Sequence, residues 1–152
     1  MNEIFDSQTT FADLGLSDDI CRAVESCGFE HPTHIQSKLI PEAVKGHDIL
    51  GQSKTGTGKT AAFMIPALER IPSGYGKAAA MVLCPTRELA IQIAEEATLL
   101  AAGKNLRVVA VYGGVKIGPQ EDALRAGAEI VVGTPGRVQD HIRRGNLKLG
   151  NA

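Results

Sequence analysis

A loop between an apolar run and a helical pattern carries the clearest chemistry in the sequence. It reads Ser53-Lys54-Thr55-Gly56-Thr57-Gly58-Lys59-Thr60 and is followed by the helical pattern 61–65. A glycine-rich turn before a helix directs backbone amides at phosphate oxygens, so this order predicts a P-loop rather than a turn without a ligand. We expect Lys59 to reach the β- and γ-phosphates of a nucleotide and the Thr60 hydroxyl to hold Mg²⁺. Ser53 stands where the common pattern has Gly.

A second candidate segment lies upstream, in residues 28–36 (Gly-Phe-Glu-His-Pro-Thr-His-Ile-Gln). The carboxamide of Gln36 can pair with N6 and N7 of adenine, and an aromatic ring such as that of Phe29 can stack on a purine. Thr33 and Gln36 also fit a capping box at the start of a helix, so spacing alone leaves both roles of Gln36 open. For His31 and His34, which have no third ligand nearby, we favour structural or solvent-facing roles over a metal site.

Three further segments each follow an apolar run and precede or begin a helical pattern. They are Pro-Thr-Arg-Glu-Leu at 85–89, Gly-Gly at 113–114 and Thr-Pro-Gly-Arg at 134–137. Open α/β sheets bind ligands at this edge, where amides hold phosphates and arginine acts as a forked donor. Each segment also has an ordinary interpretation as a helix cap or a turn.

The elements that must position these residues follow from apolar periodicity. Short aliphatic runs predict strands at 47–51, 79–84, 108–112 and 130–132, and helical patterns lie at 87–102, 119–126 and 138–144. Strands that alternate with helices at this spacing indicate right-handed crossovers and a parallel sheet. We therefore predict an α/β protein with a three-layer architecture.

The first 46 residues predict a small helical extension on that α/β body. Ser17 is expected to cap a helix running to about Cys27, and Thr33 to open a second one. Pro41 predicts a kink or a restart in the second helix. The predicted organisation is an extension at 1–46 and an α/β body at 47–152, within one domain overall.

Composition restricts the class of protein. A chain of 152 residues with 43% hydrophobic and 22% charged residues has the composition of one globular domain. It contains no run of 18 apolar residues, and its first residues do not resemble a secretory signal, so we expect no membrane association. Three cysteines without metal-type spacing indicate a reducing compartment, with the cytoplasm as the default. Residues 1–50 hold three Lys/Arg against nine Asp/Glu, whereas residues 51–152 have a basic excess that is weak support for nucleic-acid binding.

Taken in order, these segments resemble the DEAD-box family of ATP-dependent RNA helicases. Phe11 corresponds to that family's isolated upstream aromatic residue, residues 28–36 to its Q motif and 53–60 to motif I. Residues 85–89, 113–114 and 134–137 correspond to motif Ia, the GG motif and motif Ib. The resemblance extends from Phe11 to Arg137 and implies a RecA-like fold with P-loop architecture.

The resemblance also implies roles for individual residues. Adenine would be contacted by Phe29, Gln36 and the backbone around His31, and the phosphates of ATP by residues 53–60, with Lys59 and Thr60 in the catalytic role. Single-stranded RNA or an RNA duplex would be bound without sequence preference, through backbone contacts. The implied RNA-binding residues are Pro85, Thr86, Arg87, Gly113, Gly114, Thr134, Pro135, Gly136 and Arg137.

Two departures from the family pattern affect the expected activity. Lys54 stands where motif I often has Gln, and no Asp-Glu-Ala-Asp follows Arg137. The family's second RecA-like domain, its expected partner in a longer parent, is not recognisable either. We therefore expect negligible ATP hydrolysis and no unwinding by these 152 residues alone, and an unpaired edge on the strand predicted at 47–51. The alternative is a non-catalytic module that binds adenine nucleotide or RNA.

Overall fold

The computed structural model describes residues 4–56 and 58–152. The chain divides into two compact units with their boundary between Pro72 and Ser73. We call residues up to 72 the first unit and residues 73–152 the second unit. The boundary predicted from sequence lies earlier, between residues 46 and 47, and the division into an extension and an α/β body stays a prediction.

The first unit is helical. A 3₁₀ helix spans Phe11–Leu14, and three α-helices follow: α1 Asp18–Ser26, α2 His34–Val44 and α3 Lys59–Arg70. Helix α2 packs on α3, and the largest fully buried side chains of these two helices include Ile40, Met64 and Leu68.

Two predictions concern the ends and the continuity of these helices. Ser17 is the N-cap of α1, as predicted, but it makes no side-chain capping bond, and its hydroxyl donates to Glu69 Oε2 at 3.0 Å. The sequence predicts a kink or a restart at Pro41; α2 continues through this residue without a restart, and the kink stays a prediction. Proline removes one backbone hydrogen bond, but packing of α2 against α3 around the buried Ile40 holds the remaining helix together.

The strand predicted at 47–51 is wrong. Residues 47–51 form no strand and are exposed, and Leu50 has 98% of its surface exposed. An apolar run becomes a strand only when its backbone amides and carbonyls find a partner. No strand in the described ranges 4–56 and 58–152 pairs with these residues, so their apolar side chains are left without the sheet that the prediction requires.

The second unit is an α/β unit, as the sequence predicts. Its strands are β1 Ala80–Leu83, β2 Val108–Val111 and β3 Ile130–Gly133. Helix α4 Arg87–Ala101, extended by a 3₁₀ turn at Ala102–Lys104, joins β1 to β2. Helix α5 Gly118–Arg125 joins β2 to β3, and α6 Pro135–Arg143 follows β3. Both ladders are parallel and the order is β1-β3-β2, with Ile130 in register with Ala80 and Val108.

Strand β3 forms the centre of this core, because all four of its residues are buried. Successive side chains of a strand point to opposite faces. Val131 lies in one apolar cluster with Val109, Leu124 of α5 and Val138 of α6. Ile130 and Val132 are equally buried on the other face, and α4 packs on β2 and β3. Helices therefore cover both faces of β3, which gives the predicted three layers.

The cysteines and the helix lengths bear on the compositional predictions. Cys21, Cys27 and Cys84 are free thiols, of which Cys84 is buried, and burial raises the pKa of all three.

The longest described helix, α4, has 15 residues. Within the described ranges no helix has the length and apolar character needed to cross a bilayer.

Candidate nucleotide and nucleic-acid sites

The P-loop segment leads into α3 through two glycines in the left-handed region. Gly56 has φ 76° and Gly58, the N-cap of α3, has φ 77°. Helix α3 begins at Lys59, so Lys59 and Thr60 lie in its first turn, where unpaired amides and the helix dipole favour an anion. The Lys59 ammonium donates to the Ser53 carbonyl at 2.7 Å. Lys54 and Thr55 are exposed, and Thr57, also predicted to contact phosphate, lies outside the described residues.

The Gln36 side chain joins the capping box of α2 to the P-loop segment. Its Oε1 accepts from the Thr33 amide at 2.9 Å, as the capping-box pattern predicts. Its Nε2 donates to the Gly58 carbonyl at 3.1 Å. A Cβ added at Gly58 would collide with this carboxamide, so Gly58 is required for close approach as well as for its φ. Gln36 is fully buried, but each atom of its carboxamide retains a second hydrogen-bonding position.

The other residues predicted to contact adenine lie nearby in the first unit. Phe29 is half-buried and packs edge-to-face on the buried Phe11, with ring centroids 6.3 Å apart. The upstream aromatic residue therefore supports the ring of Phe29. Nδ1 of His31 lies 3.2 Å from the Thr9 carbonyl and must carry the proton of that hydrogen bond.

The structure brings the nine predicted RNA-binding residues to one edge of the sheet in the second unit. They follow the carboxyl ends of β1, β2 and β3, which are parallel and adjacent. Thr86 caps α4 by accepting from the Leu89 amide at 3.2 Å. Pro85, Thr86, Arg87, Gly113, Gly114, Pro135 and Gly136 are exposed, and Thr134 and Arg137 are half-buried.

The two arginines at this edge are held by different contacts. The Arg87 guanidinium lies over the Tyr112 ring, 5.3 Å from its centroid. Arg137 donates through Nη1 to Gln120 Oε1 at 3.1 Å and through Nη2 to the Val115 carbonyl at 3.0 Å. Both arginines thus contact the segment that contains Gly113 and Gly114, Arg87 by a cation–π contact with Tyr112 and Arg137 by one hydrogen bond to Val115.

Sequence analysis missed Tyr112, Gln120 and His141, which surround these arginines. Gln120 and His141 are buried, and Nε2 of His141 lies 3.1 Å from Gln120 Oε1. Burial, followed by the charge of Arg137, lowers the pKa of His141. The one available signal was the spacing of Gln120 and Leu124, which places a polar residue on the buried face of α5.

Comparison with known proteins identifies the family. The family model described as DEAD/DEAH box helicase matches residues 33–151. This chain belongs to the DEAD/DEAH box helicase family. It is 49% identical over 143 residues to the DEAD-box ATP-dependent RNA helicase CshA of Bacillus cereus, which covers 94% of this chain and 27% of that relative. The ATP-dependent RNA helicase CshA of Listeria monocytogenes is 48% identical over 141 residues, or 93% of this chain and 27% of the relative.

Solved structures of the family match the fold. A DEAD box protein from the hyperthermophile Methanococcus jannaschii aligns with a TM-score of 0.85 and 49% identity, over 94% of this chain and 39% of that one. The RNA-helicase Prp28 from Chaetomium thermophilum, solved bound to ADP, aligns with a TM-score of 0.84 and 40% identity, over 94% and 36%. The predicted family and α/β fold are confirmed. The chain spans 27% of the length of these CshA relatives.

Proposed function

We propose that this chain supplies the ATP-binding and RNA-binding parts of an ATP-dependent RNA helicase that locally separates duplexes. The observation that carries the proposal is the 3.1 Å hydrogen bond from Gln36 to the Gly58 carbonyl. It places a side chain suited to reading adenine directly against the turn that is suited to binding phosphate. The names of the relatives support the same activity.

Binding of ATP in this proposal exchanges bonds that the first unit already makes. The Lys59 ammonium leaves the Ser53 carbonyl and contacts the β- and γ-phosphates, while the first amides of α3 donate to phosphate oxygens. Gln36 is fully buried without nucleotide, so the residues that cover it move aside; it then keeps its bond to Gly58 and uses its remaining donor and acceptor for the purine edge. Phe29, supported by Phe11, packs on the purine ring.

Mg²⁺ fits the same proposal through Thr60. Thr60 is half-buried at the second position of α3, and its hydroxyl is a hard oxygen donor of the kind that Mg²⁺ prefers. Within residues 4–56 and 58–152, no group of three or more His, Cys, Asp or Glu side chains is assembled for a metal. In this proposal the ion arrives on the nucleotide, where it would neutralise phosphate charge.

In the second unit, the segments at the strand ends contact the sugar-phosphate backbone of RNA. Arg87 and Arg137 supply charge, and the exposed backbone at 85–86, 113–114 and 135–136 allows close approach of a single strand. Contacts of this kind carry no base information, so the proposed binding is independent of sequence. We extend the proposal to a cytoplasmic parent protein with a second RecA-like domain as partner.

Titration calorimetry of ATP–Mg²⁺ with the 152-residue chain tests the nucleotide site. Lys59→Ala is expected to weaken binding by about tenfold or more, because a charge-assisted contact to phosphate is lost. Lys148→Ala, which removes an exposed lysine of the second unit, is the matched control and should leave the affinity unchanged. Equal affinities of the Lys59→Ala variant and the unsubstituted chain would remove the assignment.

Titration of a fluorescent single-stranded oligouridylate, followed by anisotropy, tests the RNA site. Arg137→Ala should weaken binding and reduce the slope of log Kobs against log salt by about 0.7, the value for one lost phosphate contact on a single strand. Arg143→Ala is the control, since Arg143 lies at the far end of α6 and pairs with Asp140. The same salt slope for Arg137→Ala and the unsubstituted chain would contradict the assignment.

A further inference from the structure

The Gln120 side chain is buried among residues that carry the two arginines of the second unit. Only 8% of its surface is exposed. Its Oε1 lies 3.1 Å from Arg137 Nη1 and 3.1 Å from His141 Nε2, and its Nε2 lies 3.0 Å from the Tyr112 carbonyl. The carboxamide thus contacts α6 twice and the segment after β2 once.

The chemistry of these partners fixes the orientation of the carboxamide. A guanidinium only donates, so the atom facing Arg137 must be oxygen, and a carbonyl only accepts, so the atom facing Tyr112 must be nitrogen. The oxygen then requires a proton on His141 Nε2. Nδ1 of His141 is left as an acceptor and faces the Asn146 side-chain amide at 3.4 Å. Turning the carboxamide over would oppose donor to donor and acceptor to acceptor, so one orientation is strongly favoured.

The same carboxamide reaches both arginines. It binds Arg137 directly, and it holds the backbone carbonyl of Tyr112, whose ring lies under the Arg87 guanidinium. A second bond from Arg137 to the Val115 carbonyl ties α6 to the segment that contains Gly113 and Gly114. Arginine has five N–H donors in a rigid fork, so fixing two of them directs the others.

We propose that Gln120 is a positioning residue for RNA binding: it fixes the guanidinium of Arg137 and the Tyr112 platform under Arg87 for contact with phosphates of one strand, and His141 holds its orientation. The inference rests on the proposed RNA-binding function. Gln120 contacts no RNA itself in this arrangement and acts through the arginines. Substitution of Gln120 should therefore lower the affinity for RNA only in a chain that keeps these arginines.

A double-mutant cycle measured as affinity for single-stranded oligouridylate tests the proposal. Gln120→Met keeps a similar side-chain length but removes the donor and the acceptor, and should weaken binding by about fivefold to tenfold, as expected for a misplaced charge-assisted contact. In an Arg87→Ala/Arg137→Ala background, which lacks both arginines, the same substitution should have at most about a twofold effect, because Gln120 acts through them and coupled residues are not additive. Gln139→Met, on an exposed glutamine of α6, is the matched control and should be neutral.

The outcomes separate a positioning role from a structural one and from failure of the proposed function. Equal losses with and without the two arginines would mean that Gln120 only stabilises the fold. No loss of affinity from Gln120→Met in the chain that keeps both arginines would equally overturn the proposal. If Arg137→Ala itself has no effect, the RNA-binding function fails as well. If circular dichroism shows that the Gln120→Met variant does not fold, the cycle is run with His141→Phe, which removes the donor to Gln120 Oε1. There too, a loss of affinity that is absent, or that does not depend on the two arginines, overturns the inference.

Discussion

The P-loop segment and the strand-end segments are held in place by different interactions. In the second unit, the ladders of three parallel strands place the segments after β1, β2 and β3 at one edge. In the first unit, residues 47–51 form no strand, and the P-loop segment is held by the bonds Lys59–Ser53 and Gln36–Gly58. One site rests on backbone pairing and the other on a few side chains.

This difference affects what each site must do on binding. Lys59 already donates to a carbonyl of its own chain, so a nucleotide has to replace that bond. Arg137 is already directed by Gln120 and Val115, and its guanidinium has further donors for a phosphate. We therefore expect nucleotide binding to order the first unit more than RNA binding orders the second.

Hydrogen exchange should give the largest difference between the two regions. Amides of β3 lie in the fully buried central strand, whereas residues 48–52 belong to no helix or strand. We expect β3 amides to exchange at least about 10³-fold more slowly than amides 48–52, as core amides do relative to mobile loops. Mass spectrometry or NMR of the 152-residue chain measures this. If amides 48–52 were as protected as those of β3, and their protection grew with protein concentration, residues 48–52 would pair between copies. The two regions would then not differ in the way described here.

Two glycine substitutions separate backbone strain from contact with Gln36. Both Gly56 and Gly58 have positive φ, but a Cβ at Gly56 meets nothing within 4 Å, whereas one at Gly58 meets the Gln36 carboxamide. Gly56→Ala should cost about 1–2 kcal/mol of unfolding free energy from strain alone, and Gly58→Ala about 1–3 kcal/mol more. Urea unfolding measures both. Equal losses would show that the Gln36–Gly58 contact does not constrain the turn.

Sequence patterns predicted local features well and distant contacts poorly. Apolar periodicity predicts the strands β1, β2 and β3 and the helices between them, because apolar residues at regular spacing lie on the face of the element that is buried. The run at 47–51 contains only two aliphatic residues, Ile49 and Leu50, and a strand also depends on a partner that periodicity does not specify.

The candidate sites show the same difference between contacts that are near in sequence and contacts that are distant. The capping box of Thr33 and Gln36 involves residues three apart and was predictable. The bond from Gln36 to Gly58 spans 22 residues and the one from Arg137 to Gln120 spans 17, so both depend on how helices pack. The helical pattern at 119–126 does not single out Gln120, because glutamine is mostly exposed in proteins.

Gln36→Ala tests whether the side chain that anchors the turn also reads the purine. Both nucleotides lose the bond that holds the turn at Gly58, and ATP also loses a bidentate contact to adenine, so the affinity for ATP–Mg²⁺ should fall about tenfold more than that for GTP–Mg²⁺. The lost capping bond should also lower the unfolding free energy by about 1 kcal/mol. Calorimetry with both nucleotides measures the first effect, and Gln92→Ala, on an exposed glutamine of α4, is the control. A preference for ATP that survives Gln36→Ala would assign purine recognition to other residues.

The smallest expected effect is a pH dependence of stability in the second unit. Burial and Arg137 lower the pKa of His141 from its ordinary value of 6.5, with Arg144 acting in the same direction and Glu121 and Asp140 opposing. The unfolded chain therefore binds a proton at a higher pH than the folded chain, so the unfolding free energy is greatest above pH 6.5 and falls as the pH drops from 6.5 through the lowered pKa. Protonation of Nδ1 also places a donor against the Asn146 amide. Urea unfolding between pH 7.5 and about 5.5 measures the effect, and His141→Phe should remove most of it while His31, His34 and His47 remain. An unchanged pH dependence in that variant would show that His141 is not the group responsible.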